Sequence, residues 1–140
     1  MDVAGIEDVL IDTVKALGIF ATVDSAGRDQ EPSADTVFSF PYASAFFIGD
    51  REVAKQPRPI DELTFGVLVS VKNVRGESAA AADAYALIDS VRLAIRGKTL
   101  GIEDIGPFGC PTREMVGYQD GVMTYLLIFT CRQYQPLVGE

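Results

Sequence analysis

Carboxylates are the most numerous ionisable groups in this sequence, with 20 Asp and Glu against 12 Lys and Arg, and histidine is absent. They include four close pairs, Glu7/Asp8, Asp50/Glu52, Asp61/Glu62 and Glu103/Asp104. Adjacent side chains diverge on a helix or strand, so we interpret the pairs as solvated surface groups. A cation site needs several converging oxygens, and Glu103/Asp104, in a predicted loop, come nearest to that requirement. The sequence does not exclude a pair of carboxylates acting as in a glycosidase, although no predicted pocket residue supports such a site.

The two cysteines, Cys110 and Cys131, are too few for a disulfide scaffold, and we expect both to be reduced. Cys131 ends an apolar strand, which is typical of a buried structural thiol. Cys110 lies in a turn-rich loop, where a thiol nucleophile would need a neighbouring base or cation. Without histidine, we assign no catalytic role to Cys110.

One glycine pair resembles a phosphate-binding loop in its spacing. Gly101 and Gly106 are spaced as in that motif, but Pro107 and Phe108 follow where Lys and Ser or Thr are required. The cation that would contact the phosphate is therefore missing, and we reject this motif. No glycine-rich dinucleotide fingerprint follows a strand, so the sequence predicts no cofactor and no metal.

Three cations lie close together in the predicted loop 49–60, namely Arg51, Lys55 and Arg58. They are either a solvated hairpin loop or a contact arm for an acidic surface on a neighbouring copy. Phe108, among glycines and a proline, is either packed under its loop or exposed as an anchor for a partner. We predict these four residues as candidate subunit or partner contacts.

The overall charge limits the kinds of partner that the chain can bind. The net charge is −8, and the first 35 residues hold eight carboxylates against two cations. This balance argues against binding to a nucleic acid backbone, which needs clustered cations. No apolar run reaches the roughly 18 residues of a membrane span, and the acidic start of the chain predicts no signal peptide.

Two segments have the periodicity of amphipathic helices. The first runs from Asp2 to Leu17, with Asp2 suited to its start and Gly18 to its end. The second runs from Glu77 to Arg96 and has a wide apolar stripe rich in alanine. The opposite side of this second helix carries Tyr85, Asp89, Arg92 and Arg96.

Alternating apolar and β-branched residues predict the strands. They are expected at Ile19–Val23, Thr36–Phe40, Tyr42–Ile48, Leu63–Asn73, Arg113–Gln119 and Val122–Arg132. The second and third form one bent strand or two, and the last two form a hairpin around Asp120-Gly121. The last strand has apolar residues on both faces, which indicates a central strand or a second contact surface. Loops are expected near residues 24–35, 49–60 and 98–111.

This order predicts a single α+β domain over residues 1–140. Two helices are expected to pack on one face of a largely antiparallel or mixed sheet, giving a two-layer domain. The chain length suits one domain, and no linker or internal repeat divides it.

Several segments together resemble the Mu-like phage and prophage family of tail terminator, or tail completion, proteins. They are Phe40–Asp50, Leu63–Asn73 and Asp83–Arg92, followed by the glycine-rich loop and the final hairpin. The resemblance implies a structural subunit of the virion tail, assembled in the bacterial host cytoplasm. It implies a six-membered ring that caps the tail tube, stops its polymerisation and joins the head-side connector. It also implies no enzymatic activity and no cofactor, with contact surfaces in loops and strand edges near 49–60 and 98–111.

Two other functions stay open from the sequence. One is a different phage neck or baseplate component with the same subunit design. The other is a cytosolic ligand-binding or regulatory α+β domain, or a weak enzyme using Glu103, Asp104 or Cys110. Such a domain would need a concave pocket with convergent polar groups.

Overall fold

The computed structural model describes residues 2–24, 40–73 and 75–134. Its elements in chain order are α1 Val3–Ala16, β1 Thr22–Asp24, β2 Tyr42–Ala54, β3 Ile60–Lys72, α2 Glu77–Ile95, β4 Gly109–Gln119 and β5 Val122–Tyr134. The strands form one five-stranded sheet in the order β1-β2-β3-β5-β4. Strand β1 is parallel to β2, and all other neighbours are antiparallel. The predicted α+β class is confirmed, with a mixed sheet.

Both helices cover the same face of the sheet. On β3, alternate residues enter the core from this face, and they are Leu63, Phe65, Val67, Val69 and Val71. On the helices, the buried apolar residues are Ile6, Leu10, Ile11 and Val14 of α1 and Ala80, Ala84, Ile88, Val91 and Ile95 of α2. The alanines of α2 let its backbone approach the sheet closely, because they place only a methyl group between the layers.

Helix α1 begins and ends where the sequence predicts. The Asp2 carboxylate accepts a hydrogen bond from the Gly5 N–H at 2.8 Å, which satisfies one of the free donors of the first turn. Gly18 follows the helix with a φ of 68°, a conformation that glycine adopts without steric cost. The predicted helix Asp2–Leu17 is therefore confirmed to within one residue at each end.

The long hairpin of β2 and β3 corrects the predicted loop 49–60. Strand β2 continues through Gly49 to Ala54, so only residues 55–59 connect it to β3. Arg51 pairs with Glu62 across the strands in register, and their side chains form an ion pair of 3.1 Å. Charged residues can occupy a strand whose backbone is fully paired, and periodicity of apolar residues does not detect such a strand. The part of this hairpin from Gly49 to Leu63 is called the hairpin arm below.

The remaining strand predictions have mixed outcomes. The hairpin of β4 and β5 forms at Asp120-Gly121, with φ values of 55° and 80°, as a two-residue turn with two positive φ angles requires. The first strand covers Thr22–Asp24 rather than Ile19–Val23. All of the predicted strand 36–40 except Phe40, and most of the predicted loop 24–35, lie outside the described residues.

A side chain of α1 protects the edge of β2 just beyond the short strand β1. Glu7 accepts a hydrogen bond from the Phe47 N–H at 2.8 Å, in a partly buried position. Strand β1 pairs with β2 only as far as Ser44, so at Phe47 no described strand pairs with the side of β2 that faces away from β3. The Glu7 carboxylate therefore satisfies a backbone donor that the sheet leaves open, and it links α1 to the sheet.

We expect the Glu7→Ala variant to lower the free energy of unfolding by about 1 to 2 kcal/mol, because the Phe47 N–H loses its acceptor. Glu7→Gln retains an acceptor oxygen and should lose less than half as much. Urea denaturation measures both, with the exposed loop variant Glu103→Ala as a matched control that stays within about 0.5 kcal/mol of the parent. Equal stability of Glu7→Ala and Glu103→Ala would contradict this role.

Candidate interaction surfaces

The three predicted contact cations all lie on the hairpin arm, but carboxylates surround them. Arg51 is paired with Glu62, and the Lys55 Nζ lies 3.9 Å from a Glu52 oxygen. The Arg58 guanidinium lies over the Tyr134 ring, 5.6 Å from its centroid. The side chains of Arg51 and Lys55 remain 73% and 82% exposed, so both can still reach a partner.

The arm is therefore a surface of mixed charge and not a basic patch. Four carboxylates occupy the same segment, namely Asp50, Glu52, Asp61 and Glu62. Each cation lies within 11 residues of each of these carboxylates in the sequence. The pairing of β2 with β3 then shows which cation faces which carboxylate. The predicted role of Arg51, Lys55 and Arg58 as subunit contacts stays a prediction.

Phe108 is part of the core. Its side chain is 1% exposed, and its ring lies 6.3 Å from the Phe65 ring in an edge-to-face arrangement. Its backbone is also fixed, because its N–H donates to the Lys98 carbonyl and its own carbonyl accepts from Gly97. Of the two alternatives, packing under the loop is correct. The assignment of Phe108 as an exposed partner anchor is corrected, because its burial leaves no side-chain surface for a partner.

The carboxylate pairs form no metal site among residues 2–24, 40–73 and 75–134, where no three Asp, Glu or Cys side chains come together. Glu103 and Asp104 are both exposed. The backbone carbonyl of Asp104, and not its carboxylate, receives a hydrogen bond from the Tyr134 N–H. No helix in this part of the chain is long and apolar enough to cross a membrane.

The most distinctive surface lies between α2 and the outer strand β4. Tyr85, Asp89, Arg92 and Arg96 lie on the side of α2 that the sequence sets apart from its apolar stripe. The Arg113 side chain of β4 reaches Asp89 at 2.9 Å, and the backbone of Arg96 forms an isolated β-bridge with Phe108, just before β4 begins. This stripe therefore faces β4, and a cleft of about 400 Å³ is lined by Asp89, Arg92, Leu93 and Arg96.

Two tyrosines contact each other at one end of this surface. The Tyr125 hydroxyl of β5 donates to the Tyr85 hydroxyl of α2 at 3.3 Å, and the two rings meet edge to face at 5.8 Å. This hydrogen bond, together with burial, raises the pKa of Tyr125 to about 12. The contact joins the helix to the sheet and leaves Tyr85 half-exposed.

Cations dominate this side of the molecule. Arg92, Arg96 and Arg113 all lie near Cys110, and Lys98 follows α2 in the adjoining loop. We call Arg92, Arg96, Lys98 and Arg113 the cationic edge. The Nε atom of Arg92 is buried and has no hydrogen-bond partner among the described residues. Asp89 is the one carboxylate in the lining of the cleft, so the cationic edge retains unpaired positive charge.

Exposed apolar side chains and an unpaired strand edge also lie on this side of the molecule. Leu93 is 78% exposed, and Met115 and Val116 of β4 are almost half-exposed. Strand β4 pairs with β5 on one side, and no described strand pairs with its other side. Exposed apolar side chains beside a free strand edge are typical of a protein contact surface.

The opposite end of the sheet carries the opposite charge. Asp8 and Asp12 of α1 and Asp24 of β1 line one cleft of about 440 Å³ together with Lys15. We call Asp8, Asp12 and Asp24 the acidic edge. Asp8 and Asp12 are exposed and form no ion pair with a described residue.

The sheet face without helices combines polar and apolar side chains. The Ser70 and Thr124 hydroxyls form a buried hydrogen bond of 2.9 Å, and Ile48 is almost half-exposed. Strand β5 lies between β3 and β4, which confirms the central-strand interpretation of its two apolar faces. The use of Leu126 and Ile128 as a second contact surface stays a prediction.

Comparison with solved structures identifies a similar fold. A chain in a solved virion of a native gene transfer agent particle superposes with a TM-score of 0.64 at 17% sequence identity. The similarity covers 95% of this chain and 98% of that chain. At this identity it establishes a shared α+β fold over the whole length of both chains. No protein-family model and no curated protein matches the sequence.

Cys110 provides a test of the electrostatics of the cationic edge. Burial raises the pKa of its thiol, while the positive charges of Arg92, Arg96 and Arg113 act in the opposite direction without cancelling the effect. We therefore expect the alkylation rate of Cys110 to rise with pH along a curve whose midpoint lies above that of an ordinary thiol. Mass spectrometry of the modified peptide separates Cys110 from Cys131, whose pKa burial raises to about 12.

The Arg92→Met variant should move this midpoint further up, because it removes a nearby positive charge. Lys72→Met, an exposed cation on β3, is the matched control and should leave the midpoint unchanged. A midpoint below that of an ordinary thiol would instead indicate an activated nucleophile.

Proposed function

We propose that this chain is a structural subunit of a phage-like tail, and specifically a tail terminator. In this role, copies of the chain form a ring, with six subunits as the family resemblance implies. The ring caps the tail tube, stops its polymerisation and offers a surface to the head-side connector protein. The chain acts through its surfaces and not as an enzyme, it needs no cofactor, and it resides in the virion tail after assembly in the host cytoplasm.

The observation that carries this proposal is the length of the fold similarity. Nearly all of this chain matches nearly all of a chain from a gene transfer agent virion. The sequence resemblance to the Mu-like tail terminators points to the same class of particle. The two supports differ in kind, because one comes from residue patterns and the other from backbone geometry.

The shape of the sheet suits ring formation. A ring closes through heterologous contacts, in which two different surfaces of each subunit meet. The open sheet has two different ends, with α1 and β1 at one and α2 and β4 at the other. The hairpin arm offers a further contact, through Arg51, Lys55 and Arg58, to a neighbouring copy or to the tube.

We expect the purified chain to form closed rings that negative-stain microscopy resolves and light scattering sizes. Added to a polymerising tail tube protein encoded near its own gene, the chain should bind tube ends and stop elongation. The same tube protein with an unrelated acidic protein of equal size is the control. A chain that stays monomeric at high concentration, both alone and with tube protein, would contradict the proposal.

Two outcomes would instead favour the alternatives. Co-purification with portal-side protein and not with tube protein would indicate another neck component. Thermal stabilisation by a small metabolite, without assembly, would indicate a ligand-binding domain.

A further inference from the structure

We propose that the subunits of the ring join edge to edge, with the cationic edge of one copy seated against the acidic edge of the next copy. This inference rests on the proposed function, because it names the two surfaces that close the ring. Its occupant is a second copy of this chain, and its chemistry is the pairing of Arg92, Arg96 and Lys98 with Asp8 and Asp12.

The two edges lie at opposite ends of one sheet. Strand β4 is the last strand on one side and β1 is the last on the other. With neighbouring strands spaced by about 4.8 Å, the two outer strands are about 19 Å apart. Arg92 and Arg96 line one cleft and Asp8 and Asp12 line another, so within one copy the two edges are separate surfaces. Contacts between unlike ends of identical subunits lead to a ring when the rotation closes.

The charges of the two edges are complementary and available. Arg96 and Lys98 are exposed and form no ion pair with a described residue, and Asp8 and Asp12 share this property. Arg92 adds a buried Nε–H that has no acceptor among the described residues. A carboxylate entering the cleft would supply that acceptor, so the cleft is better satisfied with an acidic partner than without one.

Apolar contacts add to the charge pairing at the cationic edge. Leu93 of α2 lines the cleft with 78% of its surface exposed, and Met115 of β4 is almost half-exposed. An exposed leucine between arginines is typical of an interface, where charges orient the partner and apolar burial contributes affinity. On the acidic edge, Ile11 and Val23 line the cleft among the aspartates.

The cationic edge suits an acidic neighbour better than the hairpin arm does. The cations of the hairpin arm each have a partner within the chain, Glu62, Glu52 or Tyr134, although Arg51 and Lys55 remain largely exposed. The cationic edge is assembled from α2, its following loop and β4, and it keeps more of its charge for a partner.

The test uses two full-length variants with opposite changes. In the first, Asp8→Lys and Asp12→Lys make both edges cationic; in the second, Arg96→Glu and Lys98→Glu remove the cationic character of that edge. All four residues are exposed, so both variants should fold, which circular dichroism and thermal unfolding verify. Each variant alone should assemble only at concentrations about tenfold or more above those of the parent, because like charges then meet.

Mixing the two variants should restore assembly. A cationic edge of one then meets an acidic edge of the other, and native mass spectrometry should find both chains in equal numbers in the rings. A matched control, Lys72→Glu with Arg75→Glu, changes the net charge as the second variant does but lies at the other end of α2, and it should assemble like the parent. High salt should weaken the parent rings, since the pairs are exposed.

The outcomes separate the two proposals. Rings that form normally from either variant alone overturn the edge-to-edge contact and leave the tail terminator function standing. A parent chain that never assembles, even with tube protein, overturns the proposed function. If Arg96→Glu with Lys98→Glu unfolds, the milder Arg96→Gln with Lys98→Gln takes its place, and unchanged assembly of that variant counts against the contact.

Discussion

Strand β3 is the element on which the rest of the structure depends. It is hydrogen-bonded to β2 on one side and to β5 on the other along almost its whole length, and its helix-facing side chains form the centre of the core. Phe65 sits at the middle of this strand, where its ring meets Phe47 from β2 and Phe108 from the loop after α2. Strand β2, which precedes β3, and the loop after α2 therefore both pack against Phe65. This rigid centre lets the outer strands and the arm serve as surfaces without compromising the fold.

Much of the fold could be predicted from the sequence because it follows from local patterns. Helical periodicity, together with the residues suited to helix ends, predicts α1 and α2. The alternation of apolar and other residues predicts β3, and the Asp120-Gly121 pair predicts the final turn. The continuation of β2 through Asp50, Arg51 and Glu52 could not be predicted in this way, because charged residues there are stabilised by strand pairing and by partners about ten residues away. The sequence alone does not decide whether Phe108 is buried or exposed, because the residue it packs against, Phe65, is distant in sequence.

The candidate surface was less predictable than the fold. Arg92 and Arg96 were visible as the polar side of a helix, and Arg113 as a residue of a hairpin, but nothing in their spacing brings them together. Only the tertiary fold, in which α2 packs on β3 and β5 and Arg113 of the next strand reaches Asp89, makes them one cationic edge around Cys110. The signal in the sequence that could have pointed to this surface is the pair Tyr85 and Leu93, two large side chains outside the buried stripe of α2 that remain exposed.

The irregular course of β4 has a consequence for which contacts the border of the sheet can make. This outer strand is interrupted by two register shifts, between Gly109 and Thr112 and between Met115 and Gly117, and it contains Pro111, which has no N–H to donate. A straight, unbroken border would accept any extended peptide and could grow into fibres. Where β2 runs beyond β1, the Glu7 carboxylate accepts a hydrogen bond from the Phe47 N–H. Strand addition is therefore hindered along β4 and at this position of β2. In the proposed ring, recognition between copies then depends on side chains, which favours a finite collar over an endless ribbon.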